Sequence, residues 1–385
     1  MTQRLCLCLV CLVTLLAGAF FAPARARAQG SLAAQGFGYP PGQLSARAAA
    51  TGGALAEFDP LSPINPASLG SWGAPGLFVQ YSPEFRRVTV ATGAGGGGTD
   101  KASIYRFPVI GAAVPIGQRG TVGVAVSALV DRSYATSRSG TDIVGAYTET
   151  SRSSGAINDV RLAGAWRFGP ALRLGAGAHV FTGENRRRRE RLYADTTAAS
   201  ALDQPRLSFS GTALSGGADW QAGRNLAIAT SGRIGFALRA YASDTLLTSA
   251  TVPSRWGAAV RYSGIAGVIL AARADWEGWS KMASLAEINR RAVDGWDVGV
   301  GAEVRGPSLL GSDAPLRAGI KRRTLPFSPD ALSTVKETSF SIGTGVPVAR
   351  DRGNIDFTVE RASRTGVPGV SEHAWIVDIG FTLRP

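Results

Sequence analysis

The chain has 385 residues, a formal net charge of +13 at pH 7 and a mean hydropathy of only +0.06. All of its cysteines lie near the N-terminus, at Cys6, Cys8 and Cys11. The rest of the chain therefore offers no disulfide, no thiolate nucleophile and no cysteine metal site. The positive charge comes almost entirely from arginines scattered along the chain without a nucleic-acid-binding motif, which argues against a nucleic-acid partner.

The N-terminus has the three parts of a secretory leader. Arg4 precedes the apolar run Leu5 to Phe21, and Ala26-Arg27-Ala28 fits a small-x-small cleavage site. We predict that residues 1–28 are a cleaved signal peptide rather than a membrane anchor. Beyond them, no apolar run reaches the roughly eighteen residues that a membrane helix needs. The exported protein is thus either soluble or crosses a membrane as strands.

Residues 29–75 precede any clear strand pattern. Within them, Ala46 to Leu69 is rich in small residues and is interrupted by Gly52-Gly53 and three prolines. Asn65, Pro66 and Ala67 form a turn-favouring motif, because asparagine bonds its own backbone and proline fixes φ. We predict a compact, mostly irregular hatch with a short helix around Ser45 to Leu55.

From residue 76 onward, apolar residues alternate with small, polar or charged ones. In one segment, Trp296, Val298 and Val300 share one face, and Asp297 and Glu303 share the other. A soluble sandwich also alternates, but strands of about ten residues, aromatic residues near the ends of the apolar stripes, and alternating short and long connections are typical of a membrane barrel.

This pattern predicts an all-β fold: a transmembrane antiparallel β-barrel of about 14 strands in residues 76–385, preceded by the hatch. The expected strands are 77–90, 102–115, 120–131, 157–168, 171–182, 206–220, 225–239, 253–263, 267–276, 295–305, 314–324, 337–348, 353–361 and 373–384. An even strand number places both termini on the side of the short turns, and a barrel this wide needs a plug.

Several charged or titratable side chains fall on the lumen face of these strands. The candidate lumen-lining residues are Arg173, His179, Arg233, Arg273, Asp297, Glu303 and Arg317. Such charges line a path or pair with one another, and we expect pairing because buried charges need partners. We expect His179 to be solvated, and because no nucleophile motif accompanies it we expect no enzymatic activity, no cofactor and no metal site.

A block of four arginines, Arg186 to Arg189, falls in an expected loop, Gly183 to Pro205. A solvated loop accounts for it. Contact with lipid phosphates or an anionic head group is the functional alternative.

Three segments together resemble the FadL/TodX family of outer-membrane transporters for hydrophobic compounds. The first is Ala46 to Gly53 followed by Asn65 to Leu69, which is similar to the family's hatch. The second is Ala274 to Lys281, which contains a Trp-Ser pair. The third is Leu316 to Ile320 with Leu325-Pro326-Phe327. The chain departs from the family in its ending, Leu383-Arg384-Pro385, where an aromatic residue is usual.

The resemblance implies a fourteen-stranded barrel with an N-terminal hatch that passively takes up a long-chain fatty acid-like or aromatic compound. The ligand would leave sideways through a gap in the wall when the hatch shifts. The expected partners are outer-membrane lipids and lipopolysaccharide, a hydrophobic small-molecule ligand and the barrel assembly machinery. The alternative is a FadL-like barrel that serves as a scaffold or cargo shuttle in protein secretion.

Overall fold

A computed structural model describes residue 32 and residues 37–91, 97–195, 201–285, 291–309, 312–328, 333–348 and 352–384. The predicted signal peptide lies outside the described residues. The chain forms a closed antiparallel barrel of fourteen strands, as the sequence predicted. The barrel closes through the pairing of the first strand with the last, from Leu77 opposite Leu383 to Val90 opposite Val370.

The barrel strands are joined alternately by short turns at one end, here called the turn end, and by longer connections at the other, the loop end. There are fourteen, with β2 and β3 as two pieces of one strand. They are β1 (Gly76–Ala91), β2 (Gly97–Arg106), β3 (Val109–Ile116), β4 (Gly120–Asp131), β6 (Ala146–Phe168), β7 (Leu172–Tyr193), β9 (Arg206–Gln221), β10 (Leu226–Ala242), β12 (Arg255–Ile265), β13 (Val268–Glu277), β15 (Gly295–Val304), β18 (Leu316–Thr324), β20 (Lys336–Val348), β21 (Gly353–Val367) and β22 (Val370–Leu383). Shorter strands extend the loops and one turn: β5 (Tyr134–Thr141), β8 (Ala201–Asp203), β11 (Thr245–Thr251), β14 (Arg291–Ala292), β16 (Ser308–Leu309), β17 (Ser312–Asp313) and β19 (Phe327–Ser328).

One expected strand, 102–115, is broken. Phe107 and Pro108 separate β2 from β3, and both pieces pair with β1. Proline has no N–H to donate to a ladder, so a break at this position follows from its chemistry.

Two expected loops, Arg132 to Ala156 and Gly183 to Pro205, are largely strand in the described residues. β6 begins at Ala146 and β7 ends at Tyr193, and the two strands pair beyond the barrel as far as Tyr147 opposite Tyr193. A cross-strand ion pair of 2.7 Å between Glu149 and Arg191 supports this extension. The arginine block therefore lies on a strand, not in a loop.

The outer surface of the barrel carries the apolar residues of the alternating pattern. Val298 and Val300 are each 47% exposed and point outward, as predicted. Near the loop end, Trp256 lies opposite Trp276, which lies opposite Trp296, so three tryptophans form a row across neighbouring strands. Aromatic rows at the edge of an apolar band are typical of an outer-membrane barrel.

An arginine in place of Val300 should destabilise the barrel by about 2–4 kcal/mol, since it would place a charge in the middle of the apolar band. Thr89→Arg is the control, because Thr89 is exposed on the outer face near the loop end, where the same change costs about 0–1 kcal/mol. Urea unfolding followed by heat-modifiable gel migration measures the difference. Equal unfolding midpoints for the two variants would contradict the assigned faces.

The interior is filled by the segment that precedes β1. Ser45 caps a short helix, α1 (Ala46–Ala50), by accepting a hydrogen bond from the Ala48 N–H. Turns then lead to a 3₁₀ helix, Pro66–Ser71, with Asn65 as its N-cap. Almost every residue of this segment is buried inside the barrel. The helix is shorter than the expected Ser45 to Leu55, because glycines at 52 and 53 with φ of 62° and 79° turn the chain away from a helical path.

Candidate functional site

Below, the hatch means residues 45–71, and the N-terminal segment, which contains Tyr39, means residues 37–44. The hatch rests on two patches of wall where the strands carry glycine instead of a larger residue. The backbone of Thr51 and Gly52 lies against Gly299, Gly301 and Gly319, where an added Cβ would overlap it. On the opposite wall, the backbone of Pro66 and Ala67 lies in the same way against Gly175, and the side chains of Asn65 and Pro66 lie against Gly217. Inward-facing glycine in these strands therefore allows backbone to pack on backbone.

Asn65 is the fixed point of the second contact. Its side-chain oxygen accepts the Ala67 N–H at 2.9 Å, and its amide donates to the backbone oxygens of Glu57 at 3.0 Å and Ala218 at 3.3 Å. The side chain is fully buried. Asn65 thus joins the two halves of the hatch and ties them to β9.

Ion pairs hold the hatch to the wall at other points. Arg47 bonds Glu303 at 3.0 Å, and Glu57 bonds Arg255 at 2.5 Å. Arg255 also pairs with Asp275, which in turn pairs with Arg273. Because breaking one partner of a buried pair leaves an uncompensated charge, these contacts favour a seated hatch.

The structure places the predicted lumen residues on the inner side of the wall, and six of the seven make polar contacts there. Arg173 bonds Asp219 at 2.5 Å, and Arg317 bonds both Glu303 at 2.7 Å and Asp356 at 2.6 Å. The contacts of each residue, in chain order, are Arg173–Asp219, His179–Asp159, Arg233–Asp159, Arg273–Asp275, Glu303–Arg47 and Arg317–Asp356. They form separate groups around the hatch, not one site.

His179 is buried, so the expectation of a solvated lumen histidine was wrong. Only 3% of the residue is exposed. Its Nδ1 lies 2.8 Å from Asp159, and its Nε2 lies 2.8 Å from the Ser215 hydroxyl. Asp159 also accepts a hydrogen bond of 2.9 Å from Gln43 of the N-terminal segment. The group therefore links three wall strands, β6, β7 and β9, to the segment inside the barrel.

The wall opens between β2 and β4. Among the described residues, β2 pairs with β1 alone, and the ladder joining β3 to β4 ends at a bond of 3.1 Å from Ala128 N–H to the Pro108 oxygen. Above that point, Tyr39 pairs with Asp131 through two backbone hydrogen bonds of 2.8 Å. A residue of the N-terminal segment therefore occupies the edge that β2 leaves open.

The Tyr39 ring lies within a cluster of charges. Four guanidinium carbons lie 4.6–5.4 Å from the ring centre, those of Arg86, Arg106, Arg323 and Arg364. Four carboxylates pair with these arginines: Glu84, Asp131, Glu337 and Glu372. The Tyr39 hydroxyl donates to Glu337 at 3.1 Å and accepts from Arg364 at 2.9 Å. We call this group the Tyr39 cluster.

On the outer side of the same gap, the aromatic residues Tyr105 and Phe107 are 44% and 62% exposed. Arg106, between them in sequence, points inward and bonds Asp131 across the gap. The opening is therefore apolar on its outside and is bridged inside by one ion pair and by Tyr39.

An apolar cluster lies in the loop half of the barrel. Its residues include Phe181, Phe209, Leu238, Trp279, Met282 and Phe327. Phe37 of the N-terminal segment inserts among them, with its ring centre 6.0 Å from that of Phe209 and 5.3 Å from that of Phe327. Trp279 belongs to the Trp-Ser motif and Phe327 to the Leu-Pro-Phe motif. The centres of these two rings lie 5.7 Å apart, so two motifs far apart in sequence meet here.

A cavity of about 60 Å³ lies beside this cluster, above the hatch. Gln43 and Leu44 of the N-terminal segment line it, together with Trp279, Lys321 and the predicted residue Asp297. Apolar and charged surfaces thus adjoin within one interior space.

Phe37 and Tyr39 were not among the residues predicted from the sequence. The signal available was the segment Phe37-Gly38-Tyr39-Pro40, two aromatic residues near a proline in an otherwise small-residue stretch.

None of the helices in the described ranges is long and apolar enough to cross a lipid bilayer.

Comparisons with known proteins identify the fold. No family model matches the sequence, and no curated protein matches it. Among solved structures, a Pseudomonas aeruginosa FadL homologue aligns with a TM-score of 0.65 and 13% identity, covering 90% of this chain and 99% of the other. The Pseudomonas putida toluene transporter TodX aligns with a TM-score of 0.57 and 11% identity, covering 91% of this chain and 99% of the other. The Ralstonia pickettii toluene transporter TbuX aligns with a TM-score of 0.54 and 12% identity, covering 89% of this chain and 98% of the other. The chain therefore has the FadL fold, a fourteen-stranded barrel with its N-terminal segment inside.

Proposed function

We propose that this protein carries small hydrophobic molecules across the outer membrane by passive diffusion. The observation that carries the proposal is the gap between β2 and β4, with exposed aromatic residues outside and the Tyr39 cluster inside. The route runs from the apolar cluster around Phe37, past the N-terminal segment and out through this gap into the lipid. The likeness to FadL and toluene-transporter structures supports it.

A sideways exit agrees with the packing of the hatch. Ala46, Ala48, Ala50, Ala54 and Ala56 are each fully buried, and their backbones lie within the barrel. A straight path to the turn end would have to displace these residues and break the ion pairs that Arg47 and Glu57 make with the wall. Leaving through the gap requires only movement of the Tyr39 segment and opening of the Arg106–Asp131 ion pair.

The alternative from the sequence, a scaffold or cargo shuttle in protein secretion, calls for a sealed wall. The gap favours transport over that alternative. We propose no covalent chemistry, and we assign to His179, Asp159 and Ser215 the role of holding Gln43.

Uptake by cells tests the proposal. Cells that lack their own transporters would express the full chain and receive radiolabelled toluene or a radiolabelled long-chain fatty acid. We expect at least one tracer to enter severalfold faster than in cells with an empty vector, and the comparison of the two identifies the ligand class. Entry of both at the vector rate, with the folded barrel present in the outer membrane, would refute transport.

Phe37→Ala should increase the affinity for an aromatic ligand, because it vacates the space that the phenyl ring fills between Phe209, Phe327 and the Arg132 guanidinium, which lies 4.1 Å from the ring centre. An aromatic ligand in that space would regain the ring contacts and the cation–π contact with Arg132. We expect binding of toluene, measured by the change in tryptophan fluorescence, to be tightened about tenfold in the variant. Phe37→Leu, which fills most of the space, is the control and should bind like the parent. Unchanged affinity in Phe37→Ala would mean that the cluster around it is not the ligand site.

A further inference from the structure

The hairpin formed by β6 and β7 rises well beyond the apolar band. On β7, Val180 is 53% exposed and points outward at the upper part of that band. Glu184, Arg186 and Arg188 follow on the same outward face. At about 3.4 Å per residue, Arg186 lies roughly 20 Å along the strand from Val180, where the polar groups of an outer leaflet would be.

Four exposed arginines gather on this outward face. Arg152 of β6 is directly opposite Arg188 of β7, and Arg206 of β9 is directly opposite Arg186. Like charges placed opposite each other in a sheet are destabilising. Two such pairs side by side indicate a surface suited to an anion. We call these residues the arginine patch.

Nearby carboxylates neutralise the patch only in part. Glu184 lies 3.4 Å from Arg186 and 3.5 Å from Arg206, and Glu190 lies 3.4 Å from Arg188. These pairs are exposed to solvent, and exposed pairs contribute little. Four positive and two negative side chains leave the face with a net charge of +2.

The tip of the hairpin differs. Arg191 there bonds both Glu149 at 2.7 Å and Asp142 at 3.0 Å. The Val144 backbone N–H donates to Asp142 and lowers the pKa of that carboxyl, so it stays ionised. The charge of Arg191 is thus fully matched within the protein, whereas the charge of the arginine patch is not.

A cleft of about 560 Å³ borders the patch. Five arginines line it: Arg152, Arg186, Arg187, Arg188 and Arg206. Among the described residues that line it, none is acidic. Arg187 points to the other face of the sheet, where the Tyr134 hydroxyl accepts a hydrogen bond from it at 3.3 Å. The cleft therefore offers guanidinium groups in a concave space large enough for a phosphorylated sugar.

We propose that the arginine patch binds the phosphate groups of lipopolysaccharide in the outer leaflet next to the barrel. Guanidinium groups bind phosphate through paired, charge-assisted hydrogen bonds. The outward direction and the height above the apolar band place the patch beside this lipid. A bound phosphate would also relieve the repulsion of the two arginine pairs. The inference rests on the proposed outer-membrane location but not on transport.

The test uses the folded full-length protein in detergent and isothermal titration calorimetry. The probes are lipopolysaccharide, the same lipopolysaccharide after removal of its phosphates, and inorganic pyrophosphate. The variant R152Q/R188Q removes one opposed pair, and R119Q/R305Q removes two exposed arginines at the turn end as a control with the same change in charge. Heat-modifiable migration shows that each barrel is folded, and tracer uptake is measured in parallel.

We expect intact lipopolysaccharide to bind the parent and the control with equal affinity. It should bind R152Q/R188Q about tenfold more weakly. Uptake should be the same in all three, so a failure of transport can be told from a failure of lipid binding. Equal binding of dephosphorylated lipid, or no loss in R152Q/R188Q, would overturn the proposal. Pyrophosphate binding as tight as that of the lipid would mean a site for free anions and would overturn the assignment to lipid.

Discussion

Replacing Tyr39 with alanine should release the N-terminal segment from the gap and raise the uptake of a hydrophobic tracer severalfold. The ring lies among four guanidinium groups at 4.6–5.4 Å, and each desolvated cation–π contact contributes about 0.5–2 kcal/mol. The variant also loses the hydrogen bonds between the hydroxyl and Glu337 and Arg364. Four arginines would then face an empty space, and little except two backbone bonds would hold residue 39 to Asp131.

Tyr39→Phe separates the ring from the hydroxyl. It keeps the cation–π contacts and loses only the hydroxyl hydrogen bonds, so its uptake should lie between those of the parent and Tyr39→Ala. Hydrogen exchange of the amides of residues 39 and 131 measures release directly and should be fastest in Tyr39→Ala. If exchange accelerates while uptake stays at the parental value, the gap is not the exit.

A polar dye separates the gap from the hatch. Tyr39→Ala leaves the contacts of Asn65 and Glu57 in place, and the hatch should continue to close the lumen. We therefore expect the entry of a small polar dye to stay at the parental rate in this variant. Faster dye entry would show that the Tyr39 segment, not the hatch, closes the aqueous path.

The sequence predicted the barrel more completely than its interior. A repeat of two residues determines which face meets lipid, and so the strand number and the outward positions of Val298 and Val300 followed from local pattern. The contacts of Tyr39 depend on arginines from β1, β2, β18 and β21, which are distant in sequence, and no local pattern brings these together. The break at Pro108 was visible as a proline within a strand, but only the register of β2 and β3 against β1 shows that it opens the wall.

The inward glycines show the same limit. Glycine in a strand weakens it and frequently marks a close backbone approach, but the sequence does not say what approaches. The structure supplies Thr51 and Gly52 for one patch and the Asn65–Ala67 motif for the other. The hatch motif and the glycines that support it are therefore one feature, divided between distant parts of the chain.

Gly217→Val should unseat the hatch while leaving the barrel folded. A side chain at this position would overlap the Asn65 side-chain oxygen. Asn65 would have to move, and the Ala67 N–H and the Glu57 oxygen that it satisfies would lose their partner at about 1–3 kcal/mol each. Valine itself suits a strand, so the ladder of β9 with β7 and β10 should persist. Entry of a small polar dye should rise severalfold.

Gly216→Val is the matched control, since Gly216 is the preceding residue, points outward, and has no atom closer than 4.0 Å to an added Cβ. Ser68→Cys, a near-isosteric change at a fully buried hatch position, reports seating in both backgrounds through its rate of labelling by a membrane-impermeant maleimide. All native cysteines lie within the predicted leader, so the reporter is the single thiol of the processed chain. We expect labelling at least about tenfold faster with Gly217→Val than with Gly216→Val, because a buried thiol reacts only when local structure opens. Equal labelling rates would mean that Asn65 does not fix the hatch to the wall and that the ion pairs of Arg47 and Glu57 are sufficient to seat it.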